Sequence, residues 1–208
     1  MRLLLLRHGQ TDWNAAERYQ GRTDIELNEI GVRQAQDAAR RLSQVSVHAV
    51  FASPLGRARR TAEIAVAGRG LPLTLDDGLM ETAGGDWEGL TYPEIFARWP
   101  RDFAAWRAAH PEHGPVGGET PGQAGQRVVE TLRGLLSGRG DEHILVVAHG
   151  GCLRAATALL TGGGPHAYAE LERLQNGRMI VLDGAFGPDG STEPKPESGT
   201  WNVVGYNV

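Results

Sequence analysis

The sequence predicts an α/β sandwich with a mostly parallel central sheet. Three observations carry this. Leu3–Leu6 is a short run apolar on both faces, as a strand buried on both sides is, and Val47–Ala52 and Ile144–Ala148 read as further strands. Between them lie segments whose apolar residues recur at helical spacing. The alternation of strand and helix is the order that builds parallel strands joined by helical crossovers. At 208 residues, one domain spanning 1–208 is expected.

Val32, Ala35, Ala38, Ala39 and Leu42 give one apolar stripe, so a helix is predicted over Gly31–Ser43. Ser53-Pro54 follows the second strand and reads as an N-cap with proline in the first turn, opening a helix that stops at Gly68. Leu71–Leu75 reads as a short strand, and Pro93–Ala109 as helix broken near Trp99-Pro100. His110–Gly118 is a Pro/Gly-rich loop. Thr120-Pro121-Gly122-Gln123 has the capping-box arrangement, with Val128, Leu132, Leu135 and Leu136 on the following helix. A helix over Cys152–Leu160 and strands at Arg178–Leu182 and Trp201–Tyr206 complete the order. The stretch Gly184–Gly199 reads as a long hairpin loop or a mobile flap.

Composition narrows the function classes. Hydrophobic residues are 40% and charged residues 22%, which excludes a disordered chain. Cys152 is the only cysteine, so no disulfide framework exists. A net charge of −4 gives none of the basic surplus of a nucleic-acid binder. The N-terminal leucine run is too short for a membrane span or a signal peptide core. No nucleic-acid partner, no membrane association and a cytoplasmic location are expected.

Ligands of open α/β sheets bind just beyond the carboxyl ends of strands. The first strand runs into Arg7-His8-Gly9, the second into Ser53-Pro54 with Arg57 one turn on, and the Ile144–Ala148 strand into His149-Gly150-Gly151. One histidine at a strand end is more often packed or solvated than catalytic. Two, each between an apolar run and a glycine, point to a site where backbone can approach a ligand. Arginine adds planar recognition of tetrahedral oxyanions. The set suggests a phosphate pocket in which a neutral imidazole accepts a phosphoryl group and a carboxyl group protonates the leaving alkoxide.

Leu5-Leu6-Arg7-His8-Gly9-Gln10-Thr11 with Trp13-Asn14, Gln20–Asp24, Ser53-Pro54-Leu55 with Arg57-Ala58 and Thr61-Ala62, Leu79-Met80-Glu81 with Gly85–Gly89, Gly117–Thr120 and Val146–Gly151 stand in one order over about residues 1–160. Together they resemble the signature of the histidine phosphatase superfamily, the phosphoglycerate-mutase-like group. The resemblance implies a three-layer α/β/α sandwich of that type and a metal-independent phosphomonoester phosphatase acting through phosphohistidine. It casts His8 as nucleophile and Arg7, Arg57 and a protonated His149 as the phosphate clamp. Glu81 becomes the general acid, then the base for water. Asn14, the Gly21–Thr23 turn (Gly21 and Thr23) and Gly150 become further phosphate contacts. Asp86 and Glu88 lie near enough to be confused with Glu81, which the motif order favours. Neither metal nor cofactor is implied. The partner is a small phosphorylated substrate, a sugar phosphate or phosphoglycerate derivative, and a homodimer is left open.

Gly9–Asp12 and Gly85–Trp87 are similar to those of actinobacterial members that dephosphorylate glucosyl-3-phosphoglycerate. The alternatives are a cofactor-dependent phosphoglycerate mutase and a phospholigand-binding module without catalysis. The mutase branch carries a longer insertion after the acid, whereas about 30 residues separate Gly89 from Thr120 here. His110 and His113 have H-x-x-H spacing but sit among Pro and Gly, which favours a solvated loop over zinc. Cys152 reads as a buried packing residue, and His48, His143 and His166 receive no role. Trp87, Trp99, Trp106 and Tyr92 read mostly as core, with one or two facing substrate.

Overall fold

The computed structural model describes residues 1–186 and 201–208. Their strands β1 (Arg2–Arg7), β2 (Ala49–Ala52), β3 (Leu73–Leu75), β4 (His143–Ala148), β5 (Met179–Asp183) and β6 (Asn202–Tyr206) form one sheet, ordered β3-β2-β4-β1-β5-β6. β1 to β4 are parallel, and β5 is antiparallel to both β1 and β6. β1 lies inside the sheet between β4 and β5. That position explains its continuous apolar run, since Leu3–Leu6 meet helices on both faces and are at most 3% exposed.

The helices are α1 (Asp12–Ala15), α2 (Glu29–Leu42), α3 (Gly56–Ala65), α4 (Tyr92–Arg98), α5 (Pro100–Arg107), α6 (Pro121–Leu136) and α7 (Gly150–Leu160). Leu3, Leu5, Ile144 and Val146 pack in one core with Val128 and Leu132 of α6 and Leu153 of α7. Leu4, Leu6, Leu145 and Val147 pack in the other with Ala38 and Leu42 of α2 and Ala58 and Ala62 of α3. The alternation of side chains along each strand thus feeds two cores, and the expected three-layer sandwich is the architecture found.

Local signals act largely as expected. The Thr120 hydroxyl accepts from Gln123 N–H at 3.2 Å, and Gln123 Oε1 accepts from Thr120 N–H at 2.9 Å, closing the capping box of α6. Pro100 separates α4 from α5, with Trp99 at φ −133°, ψ 64°, off the helical region that a following proline disfavours. A Cβ on Gly125 would lie 2.9 Å from the Ala155 carbonyl carbon, so α6 and α7 approach too closely for a larger residue.

Two details differ. The helix after β2 starts at Gly56, and its N-cap position is Leu55, without a side-chain cap. Ser53 is diverted from capping because its hydroxyl lies 2.8 Å from His149 Nε2. The polar stretch after β1 contains α1, closed by a capping box between Thr11 and Asn14. Of the Gly184–Gly199 loop, residues 187–199 lie outside the described residues.

A smaller aromatic cluster lies apart from both cores. Tyr19, Trp87 and Ile95 are buried there, with Tyr92, Trp99, Phe103 and Trp106 packed around them.

Candidate active site

Strand register brings the carboxyl ends of three strands together. Arg7 pairs with Ala148, and Ala52 with Val147. The next residues, His8, His149 and Ser53, therefore leave the sheet side by side. His8 N–H donates to Ala148 O at 3.0 Å, and Ser53 N–H to Val147 O at 3.0 Å. The His8 and His149 rings meet edge to face with centroids 5.1 Å apart.

His8 Nδ1 lies 2.6 Å from Gly9 O. A carbonyl can only accept, so Nδ1 carries the proton and Nε2 keeps its lone pair. Burial, then the charges of Arg57 and Arg7, holds the His8 pKa well below the ordinary histidine value, so the ring is neutral. Asn176 Nδ2 donates to His8 O at 3.1 Å and to Asn14 Oδ1 at 3.1 Å, fixing the turn from the far end of the chain.

The two arginines are buried and partly tied. Arg7 NH1 donates to Leu174 O at 2.6 Å. Burial, then the charge of Arg173, lowers its pKa to about 10. Arg57 NH1 and NH2 donate to the carbonyls of Thr23 and Gly21, each at 2.8 Å. Arg7 Nε and Arg57 Nε are both buried without a hydrogen-bond partner among the described residues. Buried guanidinium N–H groups of this kind need an acceptor. Gly150 makes room for Arg7, since a Cβ there would lie 3.0 Å from Arg7 Nε.

His149 is fully buried. Burial, then Arg57, His8 and Arg7, drives its pKa well below the histidine range. The protonated His149 expected from sequence is therefore not its state in the free protein. Its Nδ1 is buried and unpartnered among the described residues.

Glu81 sits on the N-terminus of α7. Its carboxylate accepts from Gly151 N–H at 3.1 Å, Cys152 N–H at 2.9 Å and Thr82 N–H at 2.9 Å. Its carbonyl receives Arg22 Nε at 3.2 Å, and Arg22 and Arg127 both pair with Glu119, at 3.0 and 2.8 Å.

Arg7, His8, Asn14, Gly21, Arg57, Glu81 and Gly150 all line one cavity of about 450 Å³. His149 and Thr23 are not among the lining residues. Thr23 is placed differently from the expectation that it contacts phosphate. Its carbonyl holds Arg57, and its hydroxyl donates to Glu88 at 2.6 Å. Glu88 also accepts from Arg22 N–H and Gly84 N–H. Burial works against its charge, but these donors outweigh it and hold its pKa below the usual carboxylate range. Glu88 is thus the brace of the Gly21–Thr23 turn, while Asp86 is exposed.

Tyr92 and Trp106 line the same cavity, so the segment between Gly89 and Thr120 supplies one wall of it. His110 and His113 are exposed, with ring centroids 4.7 Å apart. Among the described residues no three His, Cys, Asp or Glu side chains converge as a metal-holding group. Cys152 is buried, and burial pushes its thiol pKa up, as a packing residue requires. No helix among the described residues is long and apolar enough to cross a membrane.

Sequence reasoning missed roles for Ser53, Arg127 and Asn176, and it quoted Arg22 and Glu119 only as members of motif segments, without their pairing. Ser53 did carry a signal, its place at a strand end beside two histidines. Arg127 and Asn176 carried none, Asn176 acting across 168 positions of chain.

A sequence model of the histidine phosphatase superfamily (branch 1) matches residues 3–188. The chain belongs to the histidine phosphatase superfamily. This histidine phosphatase is 35% identical over 197 residues to the glucosyl-3-phosphoglycerate phosphatase of Mycolicibacterium vanbaalenii, covering 91% of this chain and 87% of that one. A solved mycobacterial glucosyl-3-phosphoglycerate phosphatase in complex with VO3 superposes with a TM-score of 0.89 at 32% identity, covering 100% of this chain and 98% of that one. A 2,3-bisphosphoglycerate-dependent phosphoglycerate mutase of Methylobacterium is 38% identical over 169 residues, covering 77% of this chain and 80% of that one. The named phosphatases align over more of the chain, so the phosphatase reading fits better than the mutase alternative. This histidine phosphatase is a phosphoric monoester hydrolase.

Proposed function

We propose that the enzyme hydrolyses small phosphomonoesters by passing the phosphoryl group from substrate to His8 and then to water. The single observation that carries this is the state of His8, neutral, with Nδ1 spent on Gly9 O and Nε2 free beside two unsatisfied arginine N–H groups.

In the first step His8 Nε2 bonds to phosphorus as the ester P–O bond breaks. Glu81 delivers its proton to the departing alkoxide. In the second step Glu81 takes a proton from water as that water attacks phosphohistidine, releasing phosphate and restoring the His8 lone pair. Charge on the non-bridging oxygens is met by Arg7 and Arg57, which is where positioning and electrostatics dominate phosphoryl transfer. The Ser53 hydroxyl accepts from Leu55 N–H at 3.4 Å and has its own proton to give His149 Nε2. With that tautomer, His149 Nδ1–H, buried without a partner among the described residues, is a neutral donor directed to phosphate from behind the cavity lining. Asn14 and the Gly21 and Gly150 backbone complete the pocket, and Thr23 acts through Arg57. The relatives' substrates suggest a sugar phosphate or phosphoglycerate derivative. A cytoplasmic setting goes with this reading.

The test is acid quench during turnover of a ³²P-labelled phosphomonoester. An acid-labile, base-stable phosphoenzyme is expected; a wild-type protein that turns over without one hydrolyses by direct attack of water.

The proton inventory gives a second expectation. With both pKa values depressed below 6.5, the imidazoles of His8 and His149 should be neutral at pH 6.5, read by NMR from their ring resonances. The unfolded chain binds these protons near 6.5 and the folded chain does not, so stability should fall as pH drops through that region. A titration midpoint at or above 6.5 for either ring contradicts the assigned states.

A further inference from the structure

The segment leading into β5 braces the nucleophile turn through its backbone. Gly177 N–H donates to Arg7 O at 3.1 Å and to His8 O at 3.2 Å, and Arg7 N–H donates to Arg178 O at 3.0 Å. None of these bonds uses the Asn176 side chain, so they persist when that side chain is replaced. Asn176 Nδ2 carries two hydrogens and has three acceptors in reach, His8 O at 3.1 Å, Asn14 Oδ1 at 3.1 Å and Gly9 O at 3.3 Å. The bond to His8 O repeats what Gly177 N–H already does. The bond to Asn14 is the distinctive one, because it joins two segments 162 positions apart through their side chains.

An asparagine amide has a donor end and an acceptor end, and its neighbours decide which way it faces. Asn14 Oδ1 accepts twice, from Thr11 N–H at 3.2 Å and from Asn176 Nδ2. The donor end, Asn14 Nδ2, has no acceptor among the described residues, and Asn14 lines the cavity. Turned over, the amide would set its N–H₂ against two other N–H donors and show its oxygen to a phosphate. Thr11 caps the four-residue α1 that carries Asn14 and moves with it. Asn176 is the donor that refers the amide to the sheet. Asn176 is not among the residues lining the cavity, so it reaches a ligand only through Asn14.

We propose that Asn176 is a positioning residue for phosphoryl transfer, which holds the Asn14 side-chain amide with its N–H₂ toward the phosphate. The proposal rests on the phosphatase reading, in which Asn14 meets the phosphoryl oxygens. A donor fixed in advance has no reorientation to make when phosphate arrives, which is the form of stabilisation that phosphoryl transfer draws on most.

The test is a double-mutant cycle read by calorimetric titration of inorganic phosphate. Asn176→Leu, uncharged and of similar size, removes the donor and should weaken phosphate binding by about fivefold, the scale of one hydrogen bond. In an Asn14→Ala protein, which has no amide to orient, the same Asn176→Leu change should cost less than about twofold. Equal losses in the two backgrounds describe a general loosening of the turn and overturn the proposal. So does an unchanged affinity in the single variant. The wild-type protein supplies a reading that needs no substitution at residue 176. The Asn14 side-chain ¹⁵N–H₂ resonances, assigned by their absence from Asn14→Ala, should move when phosphate is added, and resonances that stay in place overturn the proposal. Phosphate binding is read apart from hydrolysis. A protein that binds phosphate but hydrolyses no phosphomonoester loses the hydrolytic reading, and the cycle still decides the role of Asn176.

Discussion

Replacing His8 with alanine is expected to lower kcat by about 10⁴-fold or more, because the variant has no atom to accept the phosphoryl group. The fold should survive. The His8 backbone keeps its bond to Ala148 O, and β1 stays sealed on both faces by Leu3–Leu6. The lost side chain leaves a small void beside His149, a cost of about 1–3 kcal/mol. Arg7 and Arg57 remain, so inorganic phosphate should still bind. Steady-state assays, circular-dichroism melting and phosphate titration separate these effects. A folded variant that retains turnover removes His8 from the reaction.

Glu81→Gln should show its effect through the leaving group. An alkyl ester departs as a strongly basic alkoxide and needs a proton, so kcat should fall by about 10²–10⁴-fold. p-Nitrophenolate departs without one. With the p-nitrophenyl ester, phosphorylation of His8 should proceed nearly unchanged and give a burst of p-nitrophenol. The slow second step then follows, because glutamine cannot take a proton from water. The amide keeps one oxygen for Gly151 and Cys152 N–H but turns an N–H₂ toward the other, so some loosening of the α7 terminus is expected as well. An equal loss of burst rate with aryl and alkyl esters marks Glu81 as structural only.

The parts of this protein legible in sequence share one property: their physics is local. β1 announces itself because a strand flanked by helices on both faces must be apolar throughout. The capping box at Thr120 and the proline break at Trp99-Pro100 are written within four residues. The site's histidines were visible because a strand end delivers whatever follows it. What was hidden depends on tertiary approach. Ser53 looked like an N-cap until His149 took its hydroxyl. Thr23 looked like a ligand contact, yet the buried Arg57 guanidinium claims its carbonyl and Glu88 its hydroxyl. The protonation of His149 was likewise out of reach, since it depends on the surrounding burial and on Arg57.

The aromatic cluster of Tyr19, Trp87 and Ile95, with Tyr92 and Trp106 reaching the cavity, is separate from the two cores that hold β1, β2 and β4. The chemistry and the choice of what it acts on are thereby mounted on different foundations. A substitution in the α4–α5 flank therefore reshapes a wall of the cavity without passing through either core that aligns the reacting centre.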